Sequence, residues 1–193
     1  MKNLKKIWIV VAIVAVVIVW GLVVRNVAVK KEVASNKAFE QVRLSYELRL
    51  NLIENLVSFV KGYSNFEQES LTKVIETEIL ASEEIKHSSF TTPEIFDRFN
   101  QVQDELYNKY KRLLVDVQKF PEIIAHPNFV EVKDKLKENE QAILMAKKAY
   151  NAEIDAYNKF INFLPNQLIA KLFRFDSGET FTLGNVKVNK ENK

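Results

Sequence analysis

Few side chains in this sequence have the types and spacing that enzyme chemistry requires. The 193 residues include no cysteine and two histidines, His87 and His126, which excludes thiolate metal sites, cysteine nucleophiles and disulfides. One Glu-x-x-His pair occurs, Glu84 with His87, whereas di-iron bundles need two such pairs and two further inward carboxylates. The sequence contains no phosphate-binding loop, serine-nucleophile elbow or zinc-protease motif. We therefore predict no metal, no cofactor and no enzymatic activity.

Polar side chains that interrupt apolar helical stripes are the more informative candidates. Arg49 lies three residues after Tyr46 and four before Ile53, on an apolar face. Further along, a Tyr-Asn pair recurs after seven residues, which places both pairs on one face of a helix. Two interpretations stay open: buried polar groups that fix helix register, or a polar pocket that binds a ligand between helices. The candidate interhelical cluster comprises Arg49, Asn55, Glu140, Lys147, Tyr150, Asn151, Tyr157 and Asn158.

Arg49 needs a partner if it is buried, because an unpaired buried guanidinium is strongly destabilising. Glu140 offers a carboxylate on the face of the last long helix that should meet the first. We hypothesise an Arg49–Glu140 ion pair, with Asn55 or Asn151 nearby. The alternative is that the stem of Arg49 lies along apolar surface while its charge stays in water.

The N-terminal segment is predicted to cross a membrane. Residues 7–24 contain no polar side chain, and as a helix they extend about 27 Å, close to the hydrocarbon thickness of about 30 Å. Trp8 and Trp20 lie toward the two ends of this span, and Lys6 and Arg25 flank it, as is typical of interface anchors. A cleaved signal peptide is disfavoured, since the apolar run exceeds the usual ~7–15 residues and no A-x-A site follows. A buried core helix is also disfavoured, because core helices rarely lack polar residues all round.

Charge is informative about partners and membrane side. The net charge is +3, but residues 1–25 hold four basic and no acidic side chains, so residues 26–193 carry 24 bases and 25 acids. Non-specific nucleic-acid binding therefore has no electrostatic basis. The predicted partners are the lipid bilayer and a membrane or envelope protein. Basic residues flank both ends of the span equally, so their count assigns the rest of the chain to neither side of the membrane.

Apolar residues recur at steps of three and four beyond the span, which predicts an all-α fold. Four helices joined by connections of about 2–8 residues form an antiparallel up-and-down bundle, and the first and last should be the longest. The predicted helices run from the membrane span without a break to about Gly62, from about Phe66 to His87, from Pro93 with Thr92 as its cap, and from about Asn128 to Phe163. The apolar face predicted for the second helix comprises Leu71, Val74, Ile75, Ile79 and Ile85.

Three parts follow from this pattern: an anchor over residues 1–25, a helical bundle over residues 26–175 and a tail over residues 176–193. In the tail, Phe181, Leu183, Val186 and Val188 alternate around Gly184. Two interpretations remain, a short strand or hairpin, or a loosely docked tail.

Four short segments match a known pattern, in order and spacing, over about residues 40–175. They are Arg49–Val57, Val60–Tyr63 followed by Glu67, Glu140 through Ile143 to both Tyr-Asn pairs, and Leu164–Ala170. Together they resemble the LemA family of bacterial membrane-anchored helical proteins, and the sequence departs from the family pattern at Asn51, Glu54, Phe66 and Lys147. The resemblance implies one N-terminal membrane helix and a helical bundle, and it does not imply a reaction.

These features lead to a hypothesis about function. We expect a non-catalytic, single-pass protein of the bacterial cell membrane that acts as a scaffold, adaptor or sensor in the envelope. The alternative is a small-molecule or lipid binder with an unfilled pocket lined by Arg49, Asn55, Tyr150 and Asn151. An enzyme would require a solvent-reached carboxylate pair or an open metal site.

Overall fold

The computed structural model describes residues 2–63, 66 and 68–183, with side chains from Lys6 onward. Within these residues the fold is all-α, as predicted, and α4 and α6 are short helices that the pattern did not predict. The helices are α1 (Lys2–Lys61), α2 (Gln68–His87), α3 (Pro93–Val117), α4 (Pro121–Ile124), α5 (Pro127–Asn162) and α6 (Asn166–Leu172).

The first helix, α1, runs unbroken from the apolar span into the centre of the bundle. Its 60 residues contain no proline and extend about 90 Å at 1.5 Å per residue. The N-terminal part exposes its large apolar side chains, from 61% at Ile7 to 55% at Val23. The part from Phe39 to Val60 buries apolar residues at helical spacing. One helix therefore lies in two different environments.

The other long helices pack around the C-terminal half of α1. α5 lies antiparallel along α1, and α2 and α3 form a helical hairpin that packs beside it. The bulkiest fully buried side chains are four tyrosines, one or two from each of α1, α3 and α5, and their hydroxyl groups need partners inside the bundle. These are Tyr46, Tyr110, Tyr150 and Tyr157.

Helix starts follow the proline signals in the sequence. α3 begins at Pro93, as predicted, with Thr92 in an extended N-cap conformation, although the Thr92 side chain makes no capping hydrogen bond within the described residues. α5 begins at Pro127, and His126 caps it because its Nδ1 accepts a hydrogen bond from the Asn128 N–H at 3.2 Å. Histidine is an unusual cap, but its ring nitrogen satisfies one of the free N–H groups of the first turn.

The predicted apolar face of α2 is wrong at one position. Ile79 is 57% exposed, whereas Thr77 and Ala81 are buried. A helical period of 3.6 residues carries the buried face from Val74 through Thr77 and Ala81 to Ile85, and Ile79 falls to one side of that line.

The bundle begins to pack on α1 before the predicted boundary at residue 25. Gly21 and Val24 are buried, and a methyl group added at Gly21 would lie 3.4 Å from Cδ1 of Ile169 on α6. α6 therefore covers the last turn of the apolar span, and the anchor and the bundle share residues 21–25.

Removing residues 1–25 is nevertheless expected to leave a folded bundle. Of the buried apolar core, this truncation deletes Val24 alone, and a domain of this size buries about 70% of its extended-chain surface. The truncated chain should be helical and melt cooperatively by circular dichroism. Removing residues 1–50 is the control: it also deletes Phe39, Val42 and Tyr46 and should abolish the transition. A chain lacking only residues 1–25 that shows no transition would contradict the expectation.

Candidate functional site: a polar face of α5 that binds the C-terminal segment

Two asparagines on α5 bind the backbone of an extended segment, residues 176–181. The side-chain amide of Asn151 donates to the Phe181 carbonyl at 2.7 Å and accepts from the Phe181 N–H at 2.8 Å. Asn158 makes the same two bonds with Gly178, at 2.8 and 2.9 Å. Each asparagine thus supplies the donor and acceptor that a neighbouring strand would supply. For this reason the segment is extended without forming a strand.

The tyrosine of each Tyr-Asn pair adds one hydrogen bond to the same segment. The Tyr150 hydroxyl donates to the Glu179 carbonyl at 2.6 Å, and the Tyr157 hydroxyl donates to the Asp176 carbonyl at 3.0 Å. Burial raises the pKa of Tyr157 to about 12 and also raises the pKa of Tyr150. Both hydroxyls therefore stay protonated and act as donors.

The seven-residue repeat matches the geometry of the bound segment. Seven residues of α-helix rise about 10.5 Å, and three extended residues span about 10 Å. Asn151 and Asn158 are seven apart on α5, and their targets Phe181 and Gly178 are three apart. The segment consequently runs antiparallel to α5, with its backbone groups in register with the two pairs.

Phe181 ties the segment to the aromatic core. It is 3% exposed, and its ring centroid lies 4.7 Å from that of Phe96 and 5.2 Å from that of Tyr150. The ammonium of Lys147 lies 4.9 Å from the Phe181 ring and 5.5 Å from the Tyr46 ring, within the range of cation–π attraction. The first six tail residues, 176–181, are therefore docked. The predicted strand does not form in residues 176–183, and Val186 and Val188 lie outside the described residues.

Gly178 allows the backbone to approach α5 closely. A Cβ atom built at this position would lie 2.6 Å from Cδ1 of Ile154 and 2.7 Å from Cδ2 of Phe90. Both neighbours are buried, so they have little room to move away. The adjacent Glu179 N–H donates to the Phe90 carbonyl at 3.0 Å, which joins the segment to the loop before α3.

Arg49 is buried, so the alternative in which its charge stays in water is wrong, and its partner is Gln103 on α3. Its Nη2 donates to the Gln103 carbonyl at 2.9 Å and to Gln103 Oε1 at 2.5 Å, and its guanidinium carbon lies 4.5 Å from the Tyr46 ring centroid. Its Nε makes no hydrogen bond within the described part of the chain. Desolvation by burial lowers the pKa of Arg49, although a guanidinium stays protonated in proteins.

The hypothesised Arg49–Glu140 ion pair is therefore wrong. Glu140 accepts from the Tyr110 hydroxyl at 2.6 Å and pairs with the Lys111 ammonium at 2.8 Å. Both partners belong to α3, which presents Gln103 to α1 and Tyr110 and Lys111 to α5. The partners of Arg49 and of Glu140 therefore both lie on α3, and α1 and α5 do not contact each other through these two side chains.

The residues of the predicted polar cluster lie in two separate places, and one of them belongs to neither. Tyr150, Asn151, Tyr157, Asn158 and Lys147 face the C-terminal segment, and Arg49 and Glu140 face α3. Asn55 is exposed and belongs to neither group.

Two buried polar residues that join neighbouring helices, Gln103 and Asn139, were not in the predicted cluster. Gln103 bridges Arg49 to α2 through a weak bond of 3.3 Å from its Nε2 to the Ala81 carbonyl. Asn139 donates to the Ser45 carbonyl of α1 at 2.9 Å. Both fall at helical spacing within apolar stripes, four after Phe99 and three after Leu136 respectively, so the periodicity carried a signal for each of them.

A cleft of about 320 Å³ lies between α1 and α2. Burial, and then the nearby charge of Glu54, raise the pKa of Glu78 in this cleft to about 7. Elsewhere Glu84 pairs with Arg98 at 2.6 Å, and the described residues contain no group of three or more His, Asp or Glu side chains placed to hold a metal ion. The cleft is lined by Glu47, Leu50, Asn51, Glu54, Glu78, Ser82, Ile85 and Lys86.

Comparison with known proteins agrees with the resemblance seen in the sequence. The sequence model of the LemA family matches residues 38–193. The matched region includes Arg49, both Tyr-Asn pairs and the docked segment, and it begins one residue before Phe39. No curated protein matches the chain.

Truncating Phe181 to alanine is expected to lower the free energy of unfolding by about 3–5 kcal/mol, as for other large aromatic side chains removed from a core. The measurement is chemical denaturation followed by circular dichroism. Leu183→Ala is the matched control, because Leu183 is 43% exposed and such surface changes stay within about 0.5 kcal/mol. Equal effects of the two substitutions would show that the segment is not part of the core.

A double-mutant cycle should detect the Arg49–Gln103 contact. Gln103→Leu removes one acceptor of a buried cation and should cost about 3 kcal/mol. Arg49→Met in the same chain should recover most of that loss, because two apolar groups then replace both partners. The control pair is Arg49→Met with Glu140→Gln, whose effects should add. Additive effects for Arg49 and Gln103 would contradict the assigned contact.

Replacement of Glu78 by glutamine should flatten the pH dependence of stability. The pKa of Glu78 is raised from 4.5 to about 7 in the folded state, so the folded chain binds the extra proton and stability falls as pH rises between these values. Glu78→Gln should therefore stabilise the protein above pH 7, by about 1 kcal/mol after solvent screening, and have no effect below pH 4. Glu76→Gln, on the exposed face of α2, is the control. An unchanged pH profile in Glu78→Gln would refute the assignment.

Proposed function

The chain belongs to the LemA family, and from this premise we propose that it is a non-catalytic, membrane-anchored scaffold, adaptor or sensor of the bacterial cell envelope. The observation that carries the proposal is the continuity of α1, which joins an apolar span to the core of the bundle in one helix. A movement or force at either end of such a helix reaches the other end through backbone hydrogen bonds.

Membrane anchoring is supported by the exposure and length of the N-terminal half of α1. It is the one described helix that is long and apolar enough to cross a bilayer. The core helix of a soluble protein would be buried, whereas Ile7, Val16 and Val23 each expose more than half of their surface. A cleaved leader would remove Gly21, which packs against Ile169 of α6, and the buried Val24. These facts favour an uncleaved anchor.

The architecture also suits display of a surface at a distance from the membrane. The four-helix part begins at Phe39, about 22 Å along the helix axis from Val24. Between these levels the C-terminal half of α5 packs beside α1. The contact is seen at Lys31, whose ammonium lies 6.0 Å from the centroid of the Phe160 ring. The bundle is thus held on a two-helix spacer, which is the geometry expected of a scaffold or a sensor.

A non-catalytic role is supported by the hydrogen bonds that the buried polar groups make to the protein's own chain. Arg49 is occupied by Gln103, and the Tyr-Asn pairs are occupied by the backbone of residues 176–181. Interior polar groups that bond to the protein's own chain are not available to a substrate. Partners would therefore contact the outer surface of the bundle.

The alternative, a small-molecule or lipid binder, has less support. Its expected pocket was to be lined by Arg49, Asn55, Tyr150 and Asn151, but Asn55 is exposed and the other three are bonded to the protein itself. The acidic cleft between α1 and α2 is the feature that remains for this alternative. Saturable binding of a small molecule that is lost in Glu78→Gln would favour it over the scaffold.

The proposal is tested by proximity labelling in the bacterial envelope. The full chain fused to a labelling enzyme is compared with a control fusion that carries residues 1–37 only, which holds the span but no bundle. The full chain should remain in membranes after alkaline extraction and should label a set of envelope proteins above the control. A labelling pattern equal to that of the anchor-only fusion would contradict a scaffold or adaptor role. Loss of the full chain into the soluble fraction would contradict anchoring.

A further inference from the structure

The short helix α6 exposes an apolar stripe that the bundle does not cover. Leu168 and Leu172 are four residues apart in α6, which places them on one side of the helix, and they expose 64% and 72% of their surface. Phe163 and Leu164, in the turn just before α6, are 69% and 64% exposed. The opposite side of α6 carries Ala170, which is buried. A contiguous exposed apolar patch of this kind marks an interaction surface more often than isolated leucines do.

α6 lies beside the C-terminal end of the apolar span of α1. Ile169 packs against Gly21 of α1, as the 3.4 Å approach to an added methyl group shows. The Arg25 guanidinium lies 5.4 Å from the Phe173 ring centroid. These contacts hold α6 beside residues 21–25, the C-terminal end of the apolar span over residues 7–24. If α1 crosses a bilayer, this is the level of the boundary between hydrocarbon and headgroups.

The charges around the stripe fit an anionic lipid surface. Residues 156–175 contain Lys159, Lys171 and Arg174 and no acidic residue. Lys171 and Arg174 are exposed, and Arg25 adds a third cation at the same level. Leucine and phenylalanine interleaved with lysine and arginine form the pattern of helices that lie in the plane of a membrane interface.

The backbone after α6 holds this helix in place. The Phe175 N–H bonds to the Ala170 carbonyl at 3.0 Å, and Arg174 has a φ of 57°, which is the left-handed helix ending described for C-terminal caps. The chain then reverses and enters the docked segment on α5. α6 is thus fixed at both ends, by α5 on one side and by residues 176–181 on the other.

We propose that α6 is an interfacial helix whose leucine stripe lies among the headgroups and upper acyl chains of the bilayer that α1 spans. This inference rests on the proposed membrane anchoring of α1. A single spanning helix leaves a domain free to rotate about the helix axis and to tilt. A second contact to one side of α1 removes that freedom, so one face of the bundle always points toward the membrane and the opposite face points away from it.

The absence of cysteine from the chain provides a direct test. In the full-length protein, Leu168→Cys creates a unique site for an environment-sensitive fluorophore, and Leu172→Cys provides a second one. Each labelled protein is reconstituted in vesicles of phosphatidylcholine and phosphatidylglycerol whose acyl chains are brominated close to the headgroup. Met145→Cys is the matched control, because Met145 has the same 64% exposure as Leu168 but lies on α5, far along the bundle. The chain has two tryptophans, Trp8 and Trp20, both in α1, so tryptophan quenching reports the anchor in the same samples.

We expect quenching at positions 168 and 172 about as strong as that of the tryptophans, a blue-shifted emission at both positions, and no change at position 145. Quenched tryptophans with unquenched labels at 168 and 172 would overturn the interfacial helix and leave the anchor intact. Unquenched tryptophans would overturn the anchor, and the inference with it. If a second copy of the chain covered the stripe instead, the labels would be blue-shifted but not quenched by the brominated chains, and cysteine cross-linking would give dimers. That result would also overturn the inference.

Discussion

The unbroken helix α1 sets the arrangement of the whole bundle, because its exposed apolar N-terminal part and its buried C-terminal part share one axis. A single segment that crosses a bilayer has to be helical, because hydrocarbon offers no partner for free N–H and C=O groups. The same helix then enters the bundle without a turn, so its rotation about its own axis is already set. Its buried positions continue at helical steps from Gly21, Val24 and Ala28 to Phe39, Val42 and Tyr46. α5 and α6 pack on that one line, and the level and direction of the whole bundle follow from it.

A second constraint closes the bundle from the C-terminal side. α2 and α3 cover one side of α1, and α5 covers another, but these helices alone do not complete the packing around the aromatic residues between them. Phe181 completes it, since its ring lies against Phe96, Phe99 and Tyr150. The extended backbone that carries Phe181 cannot satisfy its polar groups with a sheet. The asparagine amides of α5 take the place of a neighbouring strand, and this accounts for the paired, seven-residue arrangement of Tyr and Asn.

Buried polar groups in this protein serve the fold. The buried residues Arg49, Gln103 and Asn139 and the half-buried Glu140 each join one helix to another through a hydrogen bond or ion pair. Such groups contribute little net stability, but they penalise any packing that leaves them without partners. They select one axial alignment of helices whose apolar stripes alone would tolerate several. A functional site built on the same helices would need polar groups that are not already committed in this way.

Local periodicity and composition were sufficient to predict the apolar span, the four long helices, the start of α3 at Pro93, the apolar face that carries Arg49 and the common face of the two Tyr-Asn pairs. The partners of these residues depend on how the helices and the C-terminal segment pack together. Arg49 meets Gln103, 54 residues away, and Asn151 meets Phe181, 30 residues away. The physical reason is that helical spacing specifies the angle of a side chain about its own axis. It does not specify which helix or segment lies across from that angle, nor how far that neighbour has shifted along the axis. Those two quantities are set when all the apolar faces are buried together, and so α3, and not α5, came to face Arg49.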